Sequence, residues 1–312
     1  MIISASRRTD IPTYYSEWFY NRIKEKFVCV RNPMNIHQVS RITLNPDVVD
    51  GVVFWTKNPK PMMARLDELR DYTYYFQFTI NPYGADVERN IPSKLHEIIP
   101  TFQRLSKMLG SKRVIWRYDP IFFTPKYSME YHIQCFTKMA KLLSGYTNKC
   151  IISFLDLYRN TLKNTNGLGL LEINNKNMIE TAKRFSEIAK LNNIVIELCS
   201  ETIDLTQYGI VHGHCIDCNL FEALLDCQLK LDKDKNQRLE CGCAASIDIG
   251  MYNTCKNCCL YCYANYSQNA VNKNYEFHNP NSSLISGEIR PDDIIKERKI
   301  ASCRKYQRSL FD

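Results

Sequence analysis

Short apolar runs rich in β-branched and aromatic residues alternate with longer segments of helical period through about residue 201. The runs at 2–6, 52–56, 74–80, 113–118, 150–155 and 194–199 have strand length and predict six strands. Apolar positions at helical spacing predict helices over 14–26, 62–71, 93–109, 129–143 and 176–191, and 27–31 reads as a short extra strand. Alternation of this kind favours a parallel sheet with crossover helices. The alternation stops after Glu201, where Gly, His and Cys take over. We therefore expect an α/β unit over 1–205 and a Cys-rich region with a basic tail over 206–312. Within these, 160–177 reads as a mobile Asn- and Gly-rich loop, 220–227 as a short helix and 272–286 as irregular chain.

Polar residues follow most of the predicted strands: Arg7-Arg8-Thr9-Asp10, Thr56-Lys57-Asn58-Pro59, Asn81-Pro82, Asp119-Pro120, Asp156 and Ser200-Glu201. Loops at the carboxyl ends of parallel strands line the ligand crevice of such folds, so a series of charged strand ends predicts a lined chamber. Arg7, Asp10, Lys57, Arg117 and Asp119 are the candidate catalytic groups. Thr56, Asn58 and Glu197 are candidate cofactor contacts. The competing reading makes Asp10 and Asp119 helix or turn caps, Arg7, Lys57 and Arg117 structural ion-pair members, and Glu197 a paired strand residue.

Composition adds bounds rather than an identity. The chain has 312 residues, 45% of them apolar and 24% charged, as in a soluble globular protein. No secretory leader or membrane-length apolar run is evident, so a cytoplasmic location, with no membrane partner, is expected. The net charge of +8 permits an anionic partner without naming one. The most basic stretch, 290–308, also carries Asp292, Asp293 and Glu297 and reads as a solvated face.

The 14 cysteines change the picture. In a reducing compartment they are metal ligands, reactive thiols or buried apolar residues rather than a disulfide framework. Cys29, Cys135 and Cys150 sit in apolar periodic segments and read as core, and Cys303 is isolated, while ten lie between Cys199 and Cys262. One group is Cys215-x2-Cys218 followed by Cys241-x-Cys243, two pairs that suit a structural zinc or an auxiliary iron–sulfur cluster. His212 and His214 stand near as alternative ligands or acid–base groups, and Cys199 adds a thiol at the end of the last strand. The other group packs Cys255, Cys258, Cys259 and Cys262 into eight residues. As two zinc knuckles it lacks the roughly 12–20 residue connection that lets such pairs face one another. As Cys255-x3-Cys259-x2-Cys262 it sets three thiolates on one loop, leaves Cys258 over, and gives a four-iron cluster one iron without a protein ligand.

That spacing, with Tyr261 before the last cysteine, resembles the radical S-adenosylmethionine enzymes, and the Tyr261-Cys262-Tyr263 ending is similar to the spore photoproduct lyase branch. The resemblance implies a [4Fe–4S] cluster on Cys255, Cys259 and Cys262 that binds and reductively cleaves S-adenosylmethionine, with Tyr261 near the adenine. It also implies a partial (β/α)6 TIM-like barrel, here with the Cys-rich region closing over the carboxyl ends of the strands. A low-potential electron donor of flavodoxin or ferredoxin type would be the partner. Ser6-Arg7-Arg8-Thr9-Asp10-Ile11-Pro12, Phe54-Trp55-Thr56-Lys57-Asn58-Pro59, Trp116-Arg117-Tyr118-Asp119-Pro120 and Asp248-Ile249-Gly250-Met251-Tyr252-Asn253-Thr254-Cys255 resemble the DUF1848 family, which is described as carrying a radical-SAM-like cysteine cluster near its C-terminus. Two departures stand out: the cysteine loop follows the last strand rather than the first, and Thr56-Lys57-Asn58 replaces the glycine-rich methionine-binding motif.

The leading expectation is a radical enzyme acting on an unactivated C–H bond, a nucleobase or a nucleic acid. The alternative is a zinc- or cluster-stabilised nucleic-acid-binding protein without catalysis. A zinc hydrolase is disfavoured, because hydrolytic zinc sites take His and carboxylate rather than Cys.

Overall fold

The six apolar runs become neighbouring strands of one parallel sheet. This computed structural model describes residues 1–305 and contains β1 (Ile2–Ala5), β2 (Phe27–Asn32), β3 (Asn35–Thr43), β4 (Gly51–Thr56), β5 (Tyr74–Thr79), β6 (Val114–Ile121), β7 (Lys149–Phe154), β8 (Val195–Leu198), β9 (Val211–His212), β10 (Ile247–Asp248) and β11 (Ile294–Glu297). The main sheet runs β10-β1-β4-β5-β6-β7-β8-β9, and every neighbouring pair is parallel. The extra strand at 27–31 pairs instead with β3 as a hairpin, and β11 completes that smaller sheet parallel to β3. The hairpin partner was not legible, since only Val39 and Ile42 are buried among the polar positions of β3. Strands β9, β10 and β11 all lie beyond residue 205, so the C-terminal stretch is woven into both sheets.

The helices follow the expected positions with three interruptions that have local causes. The segment at 14–26 divides into α1 (Ile11–Tyr14) and α2 (Ser16–Glu25) at Tyr15, which leaves helical geometry with its hydroxyl donating to the Thr254 carbonyl at 2.7 Å. The 62–71 segment is only α3 (Lys60–Met63), opened by Pro61, and a single 3₁₀ turn over Leu66–Leu69. The 93–109 segment begins with a wide π turn over Lys94–Ile98 before α4 (Ile99–Leu109), because Pro100 has no N–H to close an α turn there. Ser128 caps α5 (Met129–Leu143), accepting from the Tyr131 N–H at 3.2 Å. The expected loop at 160–177 contains α6 (Arg159–Thr165), and α7 (Asn175–Leu191), α8 (Cys218–Leu225) and α9 (Gln268–Glu276) follow.

The two faces of the main sheet have different partners. Alternate residues such as Phe54, Phe76, Trp116, Ile152 and Ile196 meet the helices, with Trp116, Phe136 and Phe185 stacked in series at 4.8 and 3.9 Å. Burying this face is the dominant stabilising term. The other set, Ile2, Val53, Tyr75, Ile115 and Ile151, is covered by the stretch 215–244 through Ile216, Phe221 and Leu229. Phe221 lies so close over Gly51 that a Cβ there would stand 2.1 Å from its ring. The Cys-rich region thus fills a sheet face with 215–244 and reaches the carboxyl ends of the strands with the stretch after β10.

In the basic stretch, Asp293 and Glu297 are engaged by arginines of the smaller sheet, Arg31 at 2.5 Å and Arg41 at 2.7 Å, and among the described residues of the stretch Arg304 pairs with a carboxylate, Asp50, at 3.3 Å. Its last part, 306–308, lies outside the described residues. Among the described residues no helix is long and apolar enough to cross a membrane.

Candidate functional site

Asp248, in β10, fixes where the cysteine loop starts. Its carboxylate accepts from Ser4 Oγ at 2.9 Å, Ser6 Oγ at 2.5 Å, the Arg7 N–H at 2.8 Å and the Gly250 N–H at 3.0 Å, which binds the end of β1 to the chain entering the loop. Thr9 continues the seam, bonding the Met251 carbonyl at 2.8 Å and the Thr254 hydroxyl at 2.6 Å. Asp10 caps α1 through the Thr13 N–H at 3.1 Å and also accepts from the Lys57 N–H at 2.8 Å and Asn257 Nδ2 at 2.9 Å. Three segments distant in sequence are thereby locked together by buried, satisfied polar groups.

On this support the loop turns its sulfurs in two directions. Cys258 adopts a left-handed φ of +53°, which lets its neighbour face the opposite way. The thiol of Cys258 lies toward Gln268, Arg89 and Lys256 while its charge still reaches Cys262, and the charge of Cys262 acts on both Cys255 and Cys259 inside the protein. Burial pushes the thiols of all three upward. Opposing it, the backbone N–H of Asn257 points at the Cys255 sulfur, and those of Ala264 and Asn265 point at Cys262. The one group of three or more His, Cys, Asp or Glu ligand atoms within 4.8 Å of one another, among the described residues, is the exposed trio His37, Asp292 and Asp293. At least one pair in the cysteine trio is therefore separated by more than 4.8 Å, wider than one tetrahedral ion holds its thiolates.

Beneath the loop is an ionic floor that the sequence reading missed. Glu88 is buried and meets Lys57 Nζ at 2.7 Å, Lys94 Nζ at 2.7 Å and the Tyr261 hydroxyl, which donates to it. Burial works against the Glu88 carboxylate, and the two lysines overcome it and hold its pKa below the usual range. Lys57 is likewise opposed by burial, yet Glu88 and then Cys259 keep its pKa raised. Glu88 pairs by a β-bridge with Cys259, and the Leu260 N–H donates to the Val87 carbonyl at 3.0 Å. The only sequence signal for Glu88 was its place after a strand carboxyl end.

These contacts join the Ser6–Pro12, Thr56–Pro59 and Asp248–Cys255 motifs, and the comparison with family models decides what they belong to. A model described as "Domain of unknown function (DUF1848)" matches residues 2–264. The chain belongs to the DUF1848 family. No match was found among curated proteins.

The remaining candidates of this DUF1848 chain lie in several separate places. Thr56 and Asn58 are buried scaffold: Thr56 Oγ1 contacts Thr13 Oγ1 at 3.3 Å and accepts from the Asn58 N–H at 3.1 Å, and Asn58 Nδ2 donates to Glu97 at 2.8 Å. Tyr261 is buried with Tyr83 and Phe122, its hydroxyl also accepting from Asn81 Nδ2 at 3.1 Å, and Asn81 in turn donates to the Asp119 carbonyl at 2.8 Å. Glu197 lies elsewhere, in an ion cluster with Lys149 at 2.5 Å that extends to Asp217 at 3.1 Å. A cleft of about 260 Å³ opens beside that cluster, at the amino ends of β6 and β7 and away from the strand ends where such folds place chemistry.

Arg7, Arg117 and Asp119 lie deeper, on the face covered by 215–244. Both guanidiniums pack on Trp55, at 5.1 and 5.0 Å from its ring. Arg117 Nη2 donates to Asp119 at 2.5 Å, Ser153 also donates to Asp119, and Arg117 Nη1 lies 2.7 Å from Cys215 Sγ. Cys218 departs from the grouping its spacing suggested. Asp217 caps α8, and Cys218 opens that helix with its thiol beside Glu222, Asp217, Cys303 and Lys305. Cys199 takes the vacated place, with its Sγ 3.2 Å from that of Cys215. Glu201, at the end of β8, accepts from the Phe154 N–H at 2.8 Å, and burial lifts its carboxyl to about 7.

Proposed function

We propose that this chain is a radical S-adenosylmethionine-type enzyme built on an open β/α barrel, with a four-iron cluster held by Cys255, Cys259 and Cys262. One observation carries the reading. The three-thiol loop leaves the carboxyl end of β10, an edge strand paired in parallel with β1. In radical S-adenosylmethionine enzymes the loop follows the first barrel strand. Here β10 comes late in sequence but stands where a preceding strand would stand, so the chain order is permuted while the place is kept. The barrel reading rests on a wholly parallel main sheet whose crossover helices α2, α4, α5 and α7 share one face, while α8 lies on the other, since same-handed crossovers on one side curl a sheet toward closure.

The residues fit the group. The sulfurs are too dispersed for a single ion, backbone N–H groups support the sulfurs of Cys255 and Cys262, and the spacing leaves over Cys258, whose thiol is engaged by Gln268, giving three thiolates for four irons. When bound, the cluster and S-adenosylmethionine supply reductive cleavage and a radical that abstracts hydrogen. The chain's own residues hold and exclude. Lys57 offsets thiolate charge beside Cys259 and Cys262, Glu88 fixes Lys57, and Tyr261 seals the floor against water. Arg117 and Asp119 would orient an unidentified substrate on the inner face, and a low-potential flavodoxin or ferredoxin would deliver the electron.

Anoxic reconstitution followed by reduction with S-adenosylmethionine tests the reading. About four irons and four sulfides bound through the trio, with release of 5′-deoxyadenosine, support it. Iron without 5′-deoxyadenosine removes the catalytic part. Zinc alone would make the loop structural and favour the nucleic-acid-binding alternative.

A further inference from the structure

We propose that Cys199, Cys215, Cys241 and Cys243 ligate a second iron–sulfur cluster on the inner face of the sheet, independent of the Cys255 loop. The four come from three separated places, the end of β8, the turn before α8 and the Cys241-Gly242-Cys243 turn, yet their thiols form a continuous chain. Cys199 and Cys215 are 3.2 Å apart, and thiol contacts continue from Cys215 to Cys243 and from Cys243 to Cys241. The backbone is shaped for this. A Cβ on Gly242 would stand 2.1 Å from His214 Nδ1, whose ring bonds the Gly242 carbonyl at 2.7 Å, so only glycine lets that turn approach.

The surroundings are those of an anion rather than of core cysteines. Arg117 Nη1 approaches Cys215 at 2.7 Å, and the Ile216 N–H points at Cys243 Sγ at 3.4 Å, the kind of outer-shell donor that ligating thiolates accept. Arg7 faces Cys243 and Cys215, its Nη2 is buried with no hydrogen-bond partner, and its nearest carboxylate, Asp234, is 3.9 Å away. Burying such a donor is costly unless negative charge opposes it. A cluster carrying four thiolates supplies that charge.

The spread of the sulfurs selects the metal. Tetrahedral zinc, with Zn–S of about 2.3 Å, brings all four thiolates within about 3.8 Å of one another. Among the described residues no three cysteine sulfurs lie mutually within 4.8 Å, so the chain of thiols is extended as ligation over more than one iron requires. A two-iron cluster takes two thiolates on each iron, as the close Cys199–Cys215 and Cys241–Cys243 pairs would supply, whereas a four-iron cluster sets each thiolate on a separate iron and farther from its neighbours than these contacts. Four ligands leave no open position, which separates this site in role from a three-thiolate one.

The test uses the full chain with Cys255, Cys259 and Cys262 all replaced by Ala, purified and reconstituted without oxygen. Iron and sulfide are expected to remain in equal amounts, about two per chain, with an electron paramagnetic resonance signal in one redox state. In this background Cys199→Ala should lower the iron several-fold while Cys218→Ala leaves it unchanged. Zinc in place of iron, no metal at all, or loss with Cys218→Ala but not Cys199→Ala overturns the proposal. Should the triple variant not fold, the otherwise unmodified chain decides: its iron must fall by about two per chain with Cys199→Ala but not with Cys218→Ala. Failure of the Cys255 loop to bind iron would leave the inner-face signal in place, so the two proposals fail separately.

Discussion

Glu88→Gln is the sharpest probe of the ionic floor, because it keeps the shape of the side chain and removes only its charge. The carboxylate is 1% exposed and serves Lys57, Lys94 and the Tyr261 hydroxyl at once. Removing one partner of a buried ion pair costs about 3–5 kcal/mol, chiefly through the charge left behind. The two lysine side chains keep 12% and 19% exposure, so water relieves part of this and the expected loss is near the lower end, about 3 kcal/mol. Lys57→Met should cost less, since Glu88 retains Lys94. Anoxic urea unfolding, followed by tryptophan fluorescence, reads the difference as a lower midpoint at constant slope. A loss under about 1 kcal/mol for Glu88→Gln, or one no larger than for Lys57→Met, would refute the floor.

Other consequences follow from the same contacts. His132 is fully buried between the Tyr118 hydroxyl at 2.8 Å and the Phe122 carbonyl at 2.9 Å, and burial lowers its pKa to about 4. The folded value lies below the unfolded one, so the unfolded chain takes up the proton first and stability falls as pH drops from about 6.5 toward 4. At pH 5 the loss is about 2 kcal/mol relative to pH 8, and His132→Gln should flatten that part of the stability–pH curve. Gly250→Ala would place a Cβ 2.1 Å from Ser6 Oγ and 2.6 Å from its Cβ, so about 1–3 kcal/mol should be lost on thermal unfolding. Cys258→Ala should leave iron binding by the loop intact, whereas Ala at Cys255, Cys259 or Cys262 should abolish it, read by iron analysis after reconstitution. Equal losses for all four would show that the phase of the motif is wrong.

Much of the site was legible because its spacing is local. Asp10, Lys57 and the three cysteines meet around one loop, as charged strand ends of a parallel sheet should. Thr56 and Asn58 were drawn by the same logic but turn into the scaffold, since their polar atoms satisfy nearby backbone and side-chain groups. Glu88 escaped notice because nothing in its own neighbourhood distinguishes an exposed loop glutamate from one that two lysines and a tyrosine will enclose. Cys218 misled for the opposite reason: a two-residue gap to Cys215 looks like a ligand pair until Asp217 starts a helix between them and turns the second thiol outward.

The sequence by itself determined the alternation of strands and helices, the positions of the six central strands and the crowding of four thiols into the Cys255–Cys262 stretch. Each depends on side-chain period or on spacing within a few residues, where chain geometry leaves little freedom. Only the tertiary structure decided that β10 pairs beside β1, that 215–244 covers the sheet face opposite the crossover helices, and that the Cys199 thiol meets that of Cys215. Those pairings join residues tens to hundreds of positions apart, and the energy that selects them, burial of one sheet face and the hydrogen bonds of Asp248 and Arg117, exists only once the sheet has formed.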